Sequence, residues 1–118
     1  MKYGIDHALL VLSPGSQWSL TGNQYSGITW VSGTKPTEAE VGAKIIELDA
    51  AEPMRLLRIE RDKRLAACDW RASSDLTISN AWKTYRQALR DLPASATPNL
   101  DSRFELDLTS VNWPTEPT

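Results

Sequence analysis

The residue types best suited to form a catalytic or binding site lie in two segments of this sequence, RDKRLAACDW at 61–70 and AWKTYRQALRDLP at 81–93. Each segment contains an Arg-Asp pair and a tryptophan. These residue types together suit an acid–base centre, a platform for single-stranded nucleic acid, or a protein-binding surface. They also suit the interior of a helical hairpin, in which charged pairs set the register of the two helices.

Catalytic or metal chemistry has little support from the residue types. His7 and Cys68 are the only histidine and cysteine, and each lies beside or on an apolar pattern that favours a structural role. The sequence has no glycine-rich phosphate loop and no spacing typical of metal ligands. Four aspartates could supply paired carboxylates, but helix ends and loops commonly contain aspartate without catalysis: Asp62, Asp69, Asp75 and Asp91. We therefore predict a protein that is not an enzyme and uses no cofactor.

Charge is unevenly distributed along the 118 residues, although the net charge is only −2. Residues 1–52 carry three basic and six acidic side chains, whereas residues 55–71 carry six basic and three acidic ones. Cations near Trp70 and Trp82 are the ingredients of a single-strand platform. They lie on all sides of the predicted helix rather than along one face, so nucleic-acid binding is a minor alternative, although it is favoured slightly over catalysis.

Membrane insertion and secretion are not expected. The longest apolar run, at 8–12, is far shorter than the roughly 20 residues of a membrane-spanning helix. The residues before this run lack the charged region of a signal peptide, and no small-residue cleavage site follows it.

The N-terminal half predicts a β-hairpin followed by a helix. Residues 17–21 and 25–31 alternate with period two on either side of a turn, which makes Trp18 and Trp30 packing residues. Thr37 then has the position of a helix N-cap, with Glu40 at the spacing of a capping box. Apolar residues continue at helical spacing to about residue 51.

The C-terminal half predicts two helices that pair as a hairpin. Pro53 predicts a boundary or a kink near Glu52, or is the first residue of a helix that extends to about Cys68. A second amphipathic helix extends from about residue 78 to residue 92, and Pro93 is expected to end it. The alternation of apolar and acidic residues at 104–108 predicts a short strand.

Together these elements predict an α+β fold, with an N-terminal β-hairpin followed by a helix, then a C-terminal helical hairpin with an extended Trp-Pro tail. We expect two modules, residues 1–52 and residues 53–118.

The Arg-Asp pairs have an expected role in the helical hairpin. Arg61 falls on the stripe that faces the partner helix, and a buried arginine needs a carboxylate or carbonyl partner. We predict that Arg61 pairs with Asp91, and that Asp62 pairs with Arg86 or Arg90. Such an ion-pair network would fix the register of the hairpin more than it would add stability.

One set of residues, in this order and spacing, resembles the phage tail assembly chaperone family over about residues 55–117. The set consists of Arg61-Asp62, Leu65-Ala66, Asp69-Trp70, Trp82, Tyr85-Arg86-Gln87, Leu89-Arg90-Asp91-Leu92-Pro93 and Trp113-Pro114. The sequence departs from the family pattern in a long insertion between Pro93 and Trp113. Family members often reach the Trp-Pro pair sooner, through a Phe-Pro pair that this chain lacks.

The N-terminal half is similar to small prophage tail proteins of the XkdW type. The residues that carry this similarity are Ala8-Leu9-Leu10, Pro14-Gly15, Trp18, Trp30 and Lys35-Pro36-Thr37. Both resemblances imply a phage tail gene cluster.

The resemblance implies a bacteriophage tail or tail-fibre assembly protein that acts as a non-enzymatic chaperone or adaptor in the host cytoplasm. Its implied partner is a tail-fibre or other tail protein, and a second copy of the chain is a further possible partner. The alternatives are a structural subunit retained in the virion tail, baseplate or fibre, and a small nucleic-acid-binding protein. We predict a partner-binding surface formed by Trp70, Trp82, Tyr85, Arg64 and Arg71, although the hairpin core would explain Trp82 and Tyr85 equally well.

Overall fold

The computed structural model describes residues 2–73 and 76–117, and the chain divides into two units, Met1–Glu52 and Pro53–Thr118. The elements in chain order are helix α1 (Ile5–Leu12), strands β1 (Gln17–Leu20) and β2 (Ile28–Ser32), and helices α2 (Glu38–Ala67) and α3 (Asn80–Ser95). The predicted α+β class is confirmed, with helix as the larger part. The boundary between the units falls within α2.

The first unit contains the predicted hairpin. β1 and β2 pair antiparallel with Trp18 opposite Trp30, so the two indoles share one face of the ribbon. Both tryptophans pack against a buried cluster of residues from α1 and α2, namely Ile5, Ala8, Leu9 and Val41. A two-stranded ribbon is marginal alone, so this helical packing is what stabilises it.

The start of α2 has the capping box that the sequence predicts. The Thr37 hydroxyl accepts a hydrogen bond from the Glu40 amide at 3.1 Å, and the Glu40 carboxylate accepts one from the Thr37 amide at 3.3 Å. Two amide donors that have no partner within the helix are thereby satisfied.

Two carboxylates of α2 bind the N-terminal residues within this unit. The backbone amides of Lys2 and Tyr3 donate to Asp49 Oδ1 at 2.9 and 3.0 Å. The side chains of the same two residues contact Glu52 Oε2, with the Lys2 ammonium at 2.9 Å and the Tyr3 hydroxyl at 2.6 Å. Glu52 is 1% exposed, and these partners compensate the loss of hydration of its charge.

The second unit is a helical hairpin formed by α3 and the C-terminal part of α2. One apolar cluster packs Leu65 and Cys68 against Trp82, Tyr85 and Leu89. The next joins Leu57 to Leu92 and Val111. Because low numbers on α2 meet high numbers on α3, the two helices are antiparallel, as predicted.

Prolines do not end the helices where the sequence predicts boundaries. α2 continues through Pro53 and α3 continues through Pro93 to Ser95. A proline removes one hydrogen bond of the helix, and good helix-forming residues on both sides of Pro53 maintain the remaining bonds. Pro93 lies in the last turn, where few bonds depend on it.

The predicted strand at 104–108 is wrong. This segment forms an isolated bridge between Leu100 and Leu106 and a turn of 3₁₀ helix at Leu108–Ser110. The Asp101 carboxylate accepts hydrogen bonds from the Arg103 and Glu105 amides at 2.8 and 3.1 Å, which closes a tight turn. Local side-chain bonds of this kind compete with a strand.

Candidate functional site

The turn that joins α2 to α3 presents an exposed tryptophan. α2 ends at Ala67, and a 3₁₀ segment, Asp69–Ala72, follows. Trp70 lies in this segment and is 57% exposed, although a tryptophan has more apolar area to bury than most residues. An aromatic side chain at this exposure is typical of a contact surface for another molecule.

Arg71 lies over two aromatic rings. Its guanidinium carbon is 4.4 Å from the centre of the Trp70 ring and 3.9 Å from that of Trp82. Both distances are within the range of cation–π attraction. The exposed Trp70 is therefore linked through Arg71 to a buried ring.

Trp82 and Tyr85 belong to the core of the second unit. Each is 7% exposed, and their rings make an edge-to-face contact with centres 5.5 Å apart. Burial raises the pKa of the Tyr85 phenol, and the negative charge of Glu116 raises it further. These two side chains therefore have little area available to a partner.

A cleft of about 300 Å³ opens beside Trp70. Its lining combines aromatic, aliphatic and cationic side chains, and the start of α3 forms one wall: Trp70, Arg71, Leu76, Thr77, Ile78, Ser79 and Trp82. Leu76 is 50% exposed, and the Ser79 hydroxyl caps α3 by accepting the Trp82 amide hydrogen bond at 3.3 Å. We call Trp70, Arg71, Leu76 and Ile78 the turn surface.

Arg64 lies away from the turn surface. Its Nε is 3.1 Å from Glu60 Oε1, and its guanidinium carbon is 4.1 Å from the centre of the Trp113 ring. The indole of Trp113 also donates to the Leu108 carbonyl at 3.2 Å. Arg64 thus ties the Trp-Pro tail to α2.

The ion pairs differ from the predicted partners. Arg61 is 2.9 Å from its neighbour Asp62 instead of pairing with Asp91, which accepts a hydrogen bond from Gln87. Arg90 likewise donates to Gln87, at 2.9 Å. Gln87, Arg90 and Asp91 thus bond to one another at the i, i+3 and i, i+4 spacing of a single helix, and Arg61 bonds to the adjacent residue.

Arg86 makes the ion pair that connects α3 to the turn. Its Nη2 is 2.9 Å from Asp69 Oδ1, and its Nη1 donates to the Leu65 carbonyl and to Cys68 Sγ, both at 3.1 Å. The bond to Asp69 raises the pKa of Arg86, which stays charged. Sequence spacing could not identify Asp69 as the partner, because that residue lies in the turn beyond the helix.

The two residues considered for nucleophilic chemistry have structural contacts. Cys68 is buried and its Sγ lies 3.4 Å from the Arg64 and Leu65 carbonyls. His7 Nδ1 accepts a hydrogen bond from the Gly4 amide at 3.2 Å. In residues 2–73 and 76–117, no group of three or more His, Cys, Asp or Glu side chains is placed to hold a metal ion.

No helix in the described part of the chain is both long enough and apolar enough to cross a bilayer.

Sequence reasoning missed Leu76 and Ile78 as companions of Trp70 and Arg71. They follow the polar segment that separates the helices, so helical periodicity does not place them on a face with Trp70. The sequence signal that could have identified them is the presence of two apolar residues close to the N-cap of α3. Apolar residues before an N-cap often pack against residues in the first turns of the helix.

The comparison with known families identifies the C-terminal part of the chain. The model of the phage tail assembly chaperone protein family matches residues 54–118, which is more than half of the chain. The chain therefore belongs to the phage tail assembly chaperone family, and the resemblance carried by the Arg-Asp, Asp-Trp and Trp-Pro pairs is confirmed. The chain matches no curated protein and no solved structure. The similarity of the N-terminal half to XkdW-type proteins stays a prediction.

Proposed function

From its membership of this family, we propose that the protein acts in the host cytoplasm as a non-enzymatic chaperone or adaptor for a tail-fibre protein. Its role in phage tail assembly follows from the family. The proposal adds the client and the manner of action, which is transient binding of an incompletely assembled tail protein.

The turn surface carries the proposal. Trp70 is a large aromatic side chain that remains 57% exposed beside a cleft, while its neighbours Trp82 and Tyr85 are buried. Aromatic residues and arginine are the side chains that most often dominate the free energy of protein binding. Trp70 and Arg71 occur together here on a turn held by the hairpin core.

The chemistry of a fibre protein suits such a surface. Fibres rich in β-structure form many contacts between distant segments, so their folding is slow and leaves strand edges and apolar patches exposed. A small protein that covers an apolar patch with tryptophan and leucine side chains lowers the risk of aggregation during this period.

The alternative of a subunit retained in the virion has lost part of its support. A strand at 104–108 would favour that alternative, because it could dock on a neighbouring sheet, but this segment forms only a bridge at Leu106, and a 3₁₀ turn follows at Leu108–Ser110. We therefore favour a helper that is released before the particle is complete.

Co-expression with the fibre protein encoded in the same tail gene cluster tests the proposal. We expect the two proteins to co-purify, and we expect the yield of soluble fibre trimer to fall when the chain is omitted. If the fibre protein reaches the same soluble yield alone and fails to co-purify, the proposed client is wrong.

A further inference from the structure

Arg71 differs from four arginines of the hairpin helices in the groups that its guanidinium contacts. Each of the four has a polar partner at hydrogen-bond distance: Arg61 with Asp62, Arg64 with Glu60, Arg86 with Asp69, and Arg90 with Gln87. For Arg71, in the part of the chain that the structure describes, the guanidinium makes no hydrogen bond or ion pair. Its contacts are the Trp70 and Trp82 rings.

Two aromatic rings restrict the side chain of Arg71. The two ring contacts, at 4.4 and 3.9 Å, hold the guanidinium, and Trp82 is itself 7% exposed in the core. A cation over aromatic faces is attracted by the negative electrostatic potential of the neutral rings but gains no hydrogen-bond acceptor for its N–H groups. Arg71 thus offers five donors in a fixed fork, held with little remaining side-chain entropy to lose on binding.

A carboxylate is the acceptor that fits this fork. Arginine binds a carboxylate through two parallel hydrogen bonds, and such charge-assisted bonds are stronger than bonds between neutral groups. The cleft wall formed by the start of α3 adds the positive end of the helix dipole on the same side. Partial burial of Arg71 strengthens its attraction for an anion relative to that of a fully hydrated cation.

The turn surface also has an apolar part, and the cleft beside it has the size of a few side chains. Trp70 and Leu76, 57% and 50% exposed, lie beside Arg71 around a volume of about 300 Å³. A segment with an acidic residue next to an aliphatic or aromatic one would match both parts of this lining.

We propose that the turn surface binds a segment of the client in which an aspartate or glutamate side chain pairs with Arg71 and an adjacent apolar side chain packs on Trp70 and Leu76. This inference rests on the proposed function and specifies the chemistry of the client at the same surface.

Selection from a random decapeptide display library on the full-length chain tests this specificity. We expect enrichment of peptides with an acidic residue adjacent to an apolar one, and we expect R71Q to abolish this enrichment. Substituting glutamine for the acidic residue in an enriched peptide should weaken its binding by about tenfold, measured by fluorescence anisotropy. High salt should weaken the binding of the acidic peptide and leave the binding of the glutamine peptide unchanged.

Matched variants separate recognition from folding. R71K keeps the charge but loses the fork, so it should lose most of the preference for the acidic peptide. R90Q removes an exposed arginine from α3 and should bind like the wild type. Circular dichroism checks that each variant is folded. If R71Q is unfolded, the peptide preference of R71K decides the test.

Three results would overturn the inference: no enrichment, enrichment without acidic residues, or equal enrichment by R71Q and the wild type. Peptides that bind only through a free C-terminal carboxylate would also contradict it, because the acceptor would then be a chain end. If a fibre protein still binds and this binding depends on Trp70, the proposed function stands, and only the pairing of a client carboxylate with Arg71 is wrong.

Discussion

At the scale of single residues, Arg86 joins the two helices of the hairpin through polar contacts. It connects α3 to the last turn of α2 through the Leu65 carbonyl and to the turn through Asp69. The sequence predicted a charged link of this kind but assigned it to Asp62, since residue spacing defines the face of a helix and leaves the path of the turn undetermined. Asp69 is adjacent to Trp70, so the same bonds also position the turn surface.

R86A should lower the free energy of unfolding by about 2–3 kcal/mol, because the Leu65 carbonyl and the Cys68 thiol lose a charged donor in a partly buried site. R90A removes an exposed arginine and should change stability by less than about 0.5 kcal/mol. Urea denaturation measures both. Equal effects of the two substitutions would show that the bonds of Arg86 contribute no specific stability.

Phe104 has a backbone conformation that is unusual for its residue type. Its φ is +62°, in the left-handed region where a side chain costs about 1–2 kcal/mol per residue. F104G should therefore be more stable than F104A by about 1 kcal/mol, since both lack the ring and only glycine adopts this conformation freely.

The same pair of substitutions at the nearby Ser102 is the control for Phe104. There alanine should be the more stable variant, because glycine has greater entropy in the unfolded state. Thermal unfolding of the four proteins gives the comparison. If F104A proves more stable than F104G, the left-handed conformation is not present in solution.

At the scale of elements, the amphipathic patterns predicted α2 and α3, and the capping box at Thr37 predicted where α2 begins, whereas α1 was not predicted as a helix. The predicted ends at Pro53 and Pro93 were wrong. A proline costs only the free energy of one lost helical hydrogen bond and a local clash, whereas the packing of Leu57 and Leu92 stabilises the helices as a whole. The strand at 104–108 was wrong for the converse reason. The segment alternates apolar and acidic residues, but it has no neighbouring strand to pair with. The local hydrogen bonds of Asp101 therefore determine its conformation.

The N-cap of α3 should contribute to the stability of the hairpin. S79A removes the acceptor of the Trp82 amide and should lower stability by about 1 kcal/mol. T84A replaces an exposed residue inside the same helix with a better helix former, so its effect should be neutral or slightly stabilising. Guanidinium denaturation distinguishes the two, and a neutral S79A would mean that the cap bond is not formed.

At the scale of the whole molecule, composition and hydrophobic periodicity were sufficient for the α+β class and for the antiparallel hairpin, because both depend on patterns spread over many residues. The turn surface depends on a few residues in an irregular segment. Trp70 and Arg71 were among the predicted binding residues, together with Trp82 and Tyr85. The path of the chain after Ala67 determines that the first two are more exposed than the last two. Helical periodicity carries no information about that path.

The central claim is that the turn surface binds a tail protein, and the affinity of Trp70→Ala for the fibre protein tests it most directly. I59A is the matched control, since Ile59 is another exposed apolar residue, 52% exposed, in the same unit. We predict that W70A weakens binding by about 30-fold, the effect of a dominant interface residue, and that I59A binds like the wild type. Unchanged binding by a folded W70A would contradict the account.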